Sequence, residues 1–182
     1  RAFDFRVWMA ALGAVLWAFS SYFFIIIAAG HIWKLMALAY IPPTIAGMVL
    51  VYRGRLLAGA VVTALFTSFQ IVANHPQMSY YFLFVMLFMA IAYGVQAKRE
   101  GRIPQFLKAT AVLIVAGLTG VCVNLSNLYH TYEYSKESMR GESELVKENS
   151  ADQTDSGLER SYITQWSYGI GETFSLLVPN VK

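Results

Sequence analysis

The sequence predicts an all-α integral membrane protein, a polytopic helical bundle of four to five transmembrane helices with a polar, extracytoplasmic C-terminal segment. Of its 182 residues, 57% are hydrophobic and 14% are charged, whereas about a quarter of an ordinary soluble domain is charged. Residues 56–97 form a run of 42 positions without Asp, Glu, Lys or Arg. A helix crosses a hydrocarbon core with about 20 apolar residues, so this run predicts two crossings with a short turn.

Five apolar spans follow from the spacing of the charges. We expect them at residues 7–28 (span A), 32–51 (B), 56–73 (C), 78–97 (D) and 109–128 (E). Pro42 and Pro43 interrupt span B, which predicts either a kinked crossing or a re-entrant half-helix shielded by its neighbours. Gly117 and Gly120 in span E predict close helix packing. Residues 1–132 therefore form the predicted transmembrane region and 133–182 a separate tail.

The basic residues predict the orientation of these spans. They collect on one side with only Asp4 and Glu100 beside them, which is the cytoplasmic pattern of the positive-inside rule. This places loops 29–34 and 74–77 and the tail 133–182 outside the cytoplasm, in a multi-pass protein of the cytoplasmic (inner) membrane. A nucleic-acid-binding protein, which the pI of 9.0 would allow, needs a basic face on a soluble module. The basic residues of this side instead lie between apolar spans: Arg1, Arg6, Arg53, Arg55, Lys98, Arg99, Arg102 and Lys108.

The tail is acidic and changes character along its length. It carries nine acids and five bases, a net charge of −4. Residues 134–158 predict a solvated loop that begins with a short helix. Residues 162–168 are aromatic and amphipathic, which favours a position on the membrane face. The chain begins with Arg1 rather than Met, and we expect it to be an internal piece of a longer protein.

The Asn74-His75-Pro76-Gln77 tip between spans C and D is the first candidate site. Pro76 suits the first turn of a helix, and Asn74 or His75 suits its N-cap, which is a purely structural interpretation. Polar groups near hydrocarbon, however, usually face a cavity or a partner. In the functional interpretation His75 donates to a phosphate or shuttles a proton, with Asn74 and Gln77 as hydrogen-bond partners.

His31 and Lys34, between spans A and B, are the second candidate site. An interfacial anchor, in which Lys34 extends toward the headgroups beside Trp33, explains them structurally. The alternative is a cationic pocket for an anionic headgroup or a pyrophosphate.

Secondary candidates lie farther along the chain. Asn124, Asn127 and His130 share one helical face, where hydrogen bonding between helices is the alternative to a site. Glu172 follows Gly169-Ile170-Gly171 as a lone carboxylate that would bind a cation or act as a base, unless the segment is a simple turn. No zinc spacing, phosphate loop or nucleophile elbow is present. The sequence therefore predicts no cofactor or metal site and leaves a requirement for a divalent cation open.

Four blocks in this order carry a family resemblance, which covers most of the chain. They are residues 30–43 (with Gly30-His31-Ile32-Trp33-Lys34-Leu35 and Ala39-Tyr40-Ile41-Pro42-Pro43), 74–81, 128–136 and 166–169. The chain resembles the YfhO-like bacterial membrane proteins, in their Bacteroidetes form. That family is similar to the GT-C superfamily of polytopic membrane glycosyltransferases.

The resemblance implies transfer of a sugar from a polyprenyl-phosphate donor on the outer face of the cytoplasmic membrane. It also implies that the catalytic acid lies upstream of Arg1, outside this fragment, with His31, Lys34, His75 and Gln77 as donor-phosphate or pocket residues. Two other functions remain open: a transporter or flippase for a lipid-linked anionic substrate, and a non-catalytic membrane scaffold subunit. The lipid bilayer is the one partner that composition predicts, and the oligomeric state is undetermined.

Overall fold

Eight α-helices make up most of the part of the chain that the computed structural model describes, which is residues 2–136, 153–154, 157–158, 164, 169 and 171. The helices are α1 (Val7–Ala18), α2 (Ser21–Ala28), α3 (Ile32–Ala39), α4 (Ile41–Tyr52), α5 (Leu56–Val72), α6 (Pro76–Arg99), α7 (Ile103–Cys122) and α8 (Leu125–Lys136). Two strands of two residues each, β1 (Gln153–Thr154) and β2 (Gly157–Leu158), pair antiparallel. This short ladder lies in the segment that we predicted to be loop.

Within the described residues, four stretches are long and apolar enough to cross a membrane: Val7–Ala28, Ile32–Tyr52, Pro76–Arg99 and Ile103–Cys122. Helix α5 is a shorter apolar helix of 17 residues, at the lower end of the range of about 17–25 residues that a crossing needs. The prediction of a polytopic helical membrane protein is confirmed.

Span A is two helices rather than one. Ser20 takes extended backbone angles (φ −58°, ψ 132°), so α1 ends before it and α2 begins after it. None of the twelve residues of α1 is buried, whereas Phe23 and Ile26 of α2 are. The first half of the predicted span is therefore hardly packed against the rest of the described chain.

Span B is also divided, at Tyr40. Pro42 and Pro43 lie in the first turn of α4, where their missing N–H groups cost no helical hydrogen bond within that helix. Thr44 reinforces the joint, since its Oγ1 donates to the Tyr40 carbonyl at 2.8 Å. Together α3 and α4 form a stretch of 21 residues that is long and apolar enough to cross a membrane, as the kinked crossing requires.

Tight turns reverse the chain between the long helices. Gly54 takes a left-handed φ of +87°, and the Arg55 N–H donates to the Leu50 carbonyl at 2.9 Å. This is the Schellman ending that glycine favours because it has no Cβ. Gly101, with φ +68°, ends α6 with the same hydrogen-bond pattern.

The boundaries predicted for span E are wrong by six residues. Helix α7 begins at Ile103, with Pro104 preorganising its first turn, and ends at Cys122. Lys108 consequently lies within a helix, and the basic loop predicted between spans D and E shrinks to a short turn around Gly101. The helix stops early because the Asn124 amide donates to the Gly120 carbonyl at 3.0 Å.

Helix α5 packs between α4 and α7, and glycines bring the three backbones together. A Cβ on Gly47 would lie 2.5 Å from Thr63 Oγ1, and one on Gly120 would lie 2.7 Å from the Ala64 carbonyl. Gly117, by contrast, has nothing within 4 Å of an added Cβ. Close packing is thus confirmed at Gly120 and wrong at Gly117. A core of Met48, Val51, Ala109 and Leu113 joins α4 to α7.

The chain divides into two compact units, Arg1–Asn127 and Leu128–Lys182. In the second unit, the described residues of α8 carry an ion pair between Lys136 Nζ and Glu133 Oε1 at 2.8 Å. Most of the aromatic stretch predicted to lie on the membrane face, residues 162–168, is outside the described residues.

Candidate functional site

The first turns of α3 and α6 lie at the same end of the helical unit, which we call the tip end. Helices α4 and α5 are antiparallel neighbours, because a short turn at Gly54 joins them and they pack together. The Tyr40 ring centroid lies 6.3 Å from that of Phe66 and 5.5 Å from that of Phe69. Helix α3, which leads into Tyr40, also contacts α5 and α6. The two predicted sites, around Lys34 and His75, therefore share one end of the unit.

At the turn between α5 and α6, Asn74 takes a left-handed φ of +47°, which Asn tolerates better than most residues. His75 is the N-cap of α6 and Pro76 its first residue, but no side-chain capping hydrogen bond forms. The position that we predicted for a cap is confirmed, while the capping bond is not made. Instead, His75 Nδ1 is buried and has no hydrogen-bond partner among the described residues.

Lys34 lies in the first turn of α3 and is half-buried, while His31 and Trp33 are exposed. The Lys34 Nζ is 5.4 Å from the centroid of the Tyr22 ring, which is the range of a cation–π interaction. This contact links the first turn of α3 to the first turn of α2. Within residues 2–136 the Lys34 ammonium forms no ion pair with an acidic side chain.

Gln77 is exposed and donates to the Tyr81 hydroxyl at 3.3 Å, one turn along α6. In the part of the chain that the structure describes, no hydrogen bond links His31, Lys34, Asn74, His75 or Gln77 to one another. The tip end thus gathers the predicted residues on neighbouring helix starts without connecting them directly.

Gln70 belongs to the tip end and escaped the sequence analysis. It is 4% exposed, and its Nε2 has no hydrogen-bond partner among the described residues. A buried, unpaired amide is costly, and more so in a membrane helix. The sequence could have pointed to Gln70 through its amide side chain, because it is the only Asn or Gln in residues 56–73.

The secondary candidates behave differently from one another. Asn124 is buried and donates to the Ser68 carbonyl at 3.2 Å and the Ser68 hydroxyl at 3.0 Å. The alternative of hydrogen bonding between helices is therefore confirmed for Asn124. Asn127 and His130 are exposed on α8. Glu172 lies outside the described residues.

The tip end has the composition of a weak anion site. The N-termini of α3 and α6 carry the positive end of each helix dipole, and Lys34 adds a full charge. His75 and Gln70 supply polar atoms that need a partner. Among the described residues, no group of three His, Cys, Asp or Glu side chains lies close enough to hold a metal.

A second polar region, which the sequence analysis missed, lies at the opposite end of this unit, where Gly54 and Gly101 turn the chain. We call it the basic cavity. Its volume is about 710 Å³. The residues that line it include Asp4, Tyr52, Arg53, Gln96, Arg102, Gln105, Phe106 and Lys108. A smaller groove of about 420 Å³ between α5 and α7 is lined by alanine, valine and threonine. Neither contains a predicted site residue.

No family model, no curated protein and no solved structure matches this chain.

Proposed function

We propose that this chain is part of a polytopic membrane glycosyltransferase of the GT-C type. In this proposal the tip end faces the outside of the cytoplasmic membrane and holds the phosphate of a polyprenyl-phosphate sugar donor. The resemblance of the four sequence blocks suggests the chemistry, and the physical arrangement of the tip end is compatible with it.

One observation carries the proposal: Lys34 and His75 stand at two helix starts of the same end of the bundle. The leaving group of such a transfer is a lipid phosphate, whose negative charge grows as the glycosidic bond breaks. Fixed donors and positive dipole ends that point at this charge lower the barrier. Lys34 would supply the charge, His75 a hydrogen bond, and Gln70 a second donor deeper in the bundle.

We expect Lys34→Ala and His75→Ala in the full-length protein each to lower sugar transfer by about 100-fold, the scale of removing one transition-state donor. The measurement is release of polyprenyl phosphate from a panel of polyprenyl-phosphate monosaccharides, in proteoliposomes supplemented with native membrane extract as the source of acceptor. Lys34→Arg should retain part of the activity because it keeps the charge.

Lys98→Ala is the matched control, since Lys98 is an exposed lysine at the other end of α6. It should leave transfer unchanged. Normal turnover in both tip-end variants, at normal levels of membrane insertion, would remove these residues from the mechanism.

A transporter or flippase for a lipid-linked anionic substrate is the second candidate. The two breaks at Ser20 and Tyr40 favour it, because transporters often build their substrate sites from discontinuous membrane helices. The same proteoliposomes separate the two functions. A flippase moves the labelled lipid-linked sugar between leaflets without releasing polyprenyl phosphate, whereas a transferase releases it.

A further inference from the structure

The basic cavity lies between helix ends that are far apart in the sequence. The turn at Gly54 forms one wall, the end of α6 the second, and the start of α7 the third. The segment before α1 reaches the same place, because Asp4 pairs with Arg53. Four separate segments of the first unit thus enclose one space.

The charges that line this space are mainly positive. Arg53, Arg102 and Lys108 face one carboxylate, Asp4, which gives the lining a net charge of +2. Glu100 pairs with Arg102 beside the cavity and reduces this to +1. Within residues 2–136, Lys108 makes no ion pair or hydrogen bond, so no side chain of that part of the chain neutralises its charge.

Two helix N-termini add to this positive potential. Gly54 and Leu56 at the start of α5, and Arg102 and Gln105 at the start of α7, all line the cavity. Neither helix has a side-chain cap or an acid in its first turn. Their first N–H groups are left without helical partners, and such groups favour an anion.

The floor of the cavity is aromatic, and its surroundings are apolar. The Tyr52 ring stacks on Tyr93 at 4.4 Å and on Phe106 at 5.6 Å between centroids. Both α6 and α7 are long and apolar enough to cross a membrane, and on their faces away from the cavity Val95 and Leu107 are 47% and 59% exposed. A ligand with both a negative head and a long apolar tail fits this combination of surfaces.

We propose that the basic cavity binds the headgroup phosphate of an anionic phospholipid. The phosphate lies among Arg53, Arg102 and Lys108, and the acyl chains run along the exposed apolar surfaces of α6 and α7. Soluble phosphate would use the same cations, but the apolar surfaces would contribute nothing to its binding. This inference is independent of sugar transfer, because it concerns the opposite end of the helical unit.

The test uses the full-length protein in a neutral detergent, with native mass spectrometry to count bound lipids and to measure their dissociation constants. We expect phosphatidylglycerol to bind more tightly than phosphatidylcholine. Lys108→Gln should raise the dissociation constant of phosphatidylglycerol about fivefold, which is the usual effect of removing one basic residue at an anionic lipid surface. Lys98→Gln is the matched control, since Lys98 is exposed in the last turn of α6 and does not line the cavity.

A second variant changes binding in the opposite direction. Asp4→Asn removes the partner of Arg53 and one negative charge from the lining, so we expect phosphatidylglycerol to bind about fivefold more tightly. A variant that merely damaged the fold would not gain affinity. Asparagine also suits the left-handed φ of +58° at this position.

Three results would overturn the proposal. Equal affinity of phosphatidylglycerol and phosphatidylcholine would show that the headgroup charge is not recognised. Equal losses in Lys108→Gln and Lys98→Gln would place lipid binding elsewhere on the surface. Displacement of phosphatidylglycerol by millimolar inorganic phosphate, with no contribution from the acyl chains, would assign the cavity to a soluble anion.

Discussion

Asn124 ends α7 and connects it to α5 with the same amide group. From the link between α7 and α8, its Nδ2 donates to Gly120 in α7 and to Ser68 in α5. By competing for the last carbonyls of α7, the side chain helps to stop the helix there. Its contact with Ser68 then holds the end of α7 in place.

We expect Asn124→Ala to lower the free energy of unfolding by about 0.5–2 kcal/mol, which is the range measured for hydrogen bonds between membrane helices. Asn127→Ala is the control, since Asn127 is exposed three residues farther along. The measurement is a denaturant titration of the full-length protein in mixed micelles, followed by its helical signal. Similar losses in both variants would mean that the Asn124 contacts contribute no stability.

Sequence spacing treated Asn124, Asn127 and His130 alike, and the structure separates them. All three fit one face of a continuous helix, but the break after Cys122 starts a new helix at Leu125. Spacing cannot reveal this break, because the contact with Ser68 spans 56 positions. Gln70 was missed for a similar reason: its type was visible in the sequence, but its burial was not.

At the scale of the helices, α5 is the element on which the others depend. Gly47 and Gly59 let α4 approach it on one side, and Gly120 lets α7 approach it on another. In lipid, where there is no water to expel, van der Waals packing is one of the forces that drive helix association, and closely packed backbones contribute to it.

We expect Gly120→Ala to destabilise the protein by about 1–3 kcal/mol, the usual cost of overpacking. The added Cβ would stand 2.7 Å from the Ala64 carbonyl and 2.9 Å from Thr67 Cβ, and neither is the end of a flexible side chain. The same micelle titration provides the value.

Gly117→Ala is the internal control on the same helix. Its Cβ meets nothing within 4 Å, so we expect no loss, or a gain of up to about 1 kcal/mol from helix propensity. A loss at Gly117 as large as that at Gly120 would contradict the packing described here.

Most helices were predictable as apolar runs, whereas their ends were not. The uncharged run 56–97 became α5, a turn and α6 as expected, because length alone required two helices. The start of α7 was misplaced because Lys108 looked like a loop residue, although Pro104 four positions earlier is a good first-turn residue. The break at Ser20 has neither proline nor glycine to announce it.

For the whole molecule, the two ends of the helical unit differ in charge. The end that holds the basic cavity, here called the basic end, carries Arg53, Arg102 and Lys108. The tip end carries Lys34 and two histidines. We propose on the positive-inside rule that the basic end is cytoplasmic. Charge asymmetry is readable from the sequence, but the basic cavity is not, because its lining comes from four segments brought together only by folding.

Single cysteines at the two ends of α6 test this orientation, in a Cys122→Ser background because Cys122 is exposed. In intact cells an impermeant thiol reagent should label Ser79→Cys and not Arg99→Cys. The two sites are about 30 Å apart along one helix. After permeabilisation both should react, which controls for accessibility. Labelling of Arg99→Cys alone in intact cells would reverse the orientation.

Helix α1 bears on how this protein assembles in the membrane. Since none of its residues is buried, its insertion rests on transfer of its side chains from water to lipid rather than on contacts with other helices. Among the described residues, its links to the bundle include the exposed Asp4–Arg53 pair before it and the Trp17–Phe23 ring contact at its end. The apolar surface of α1 is therefore left uncovered by the described part of the chain, so that lipid or another helix can pack against it.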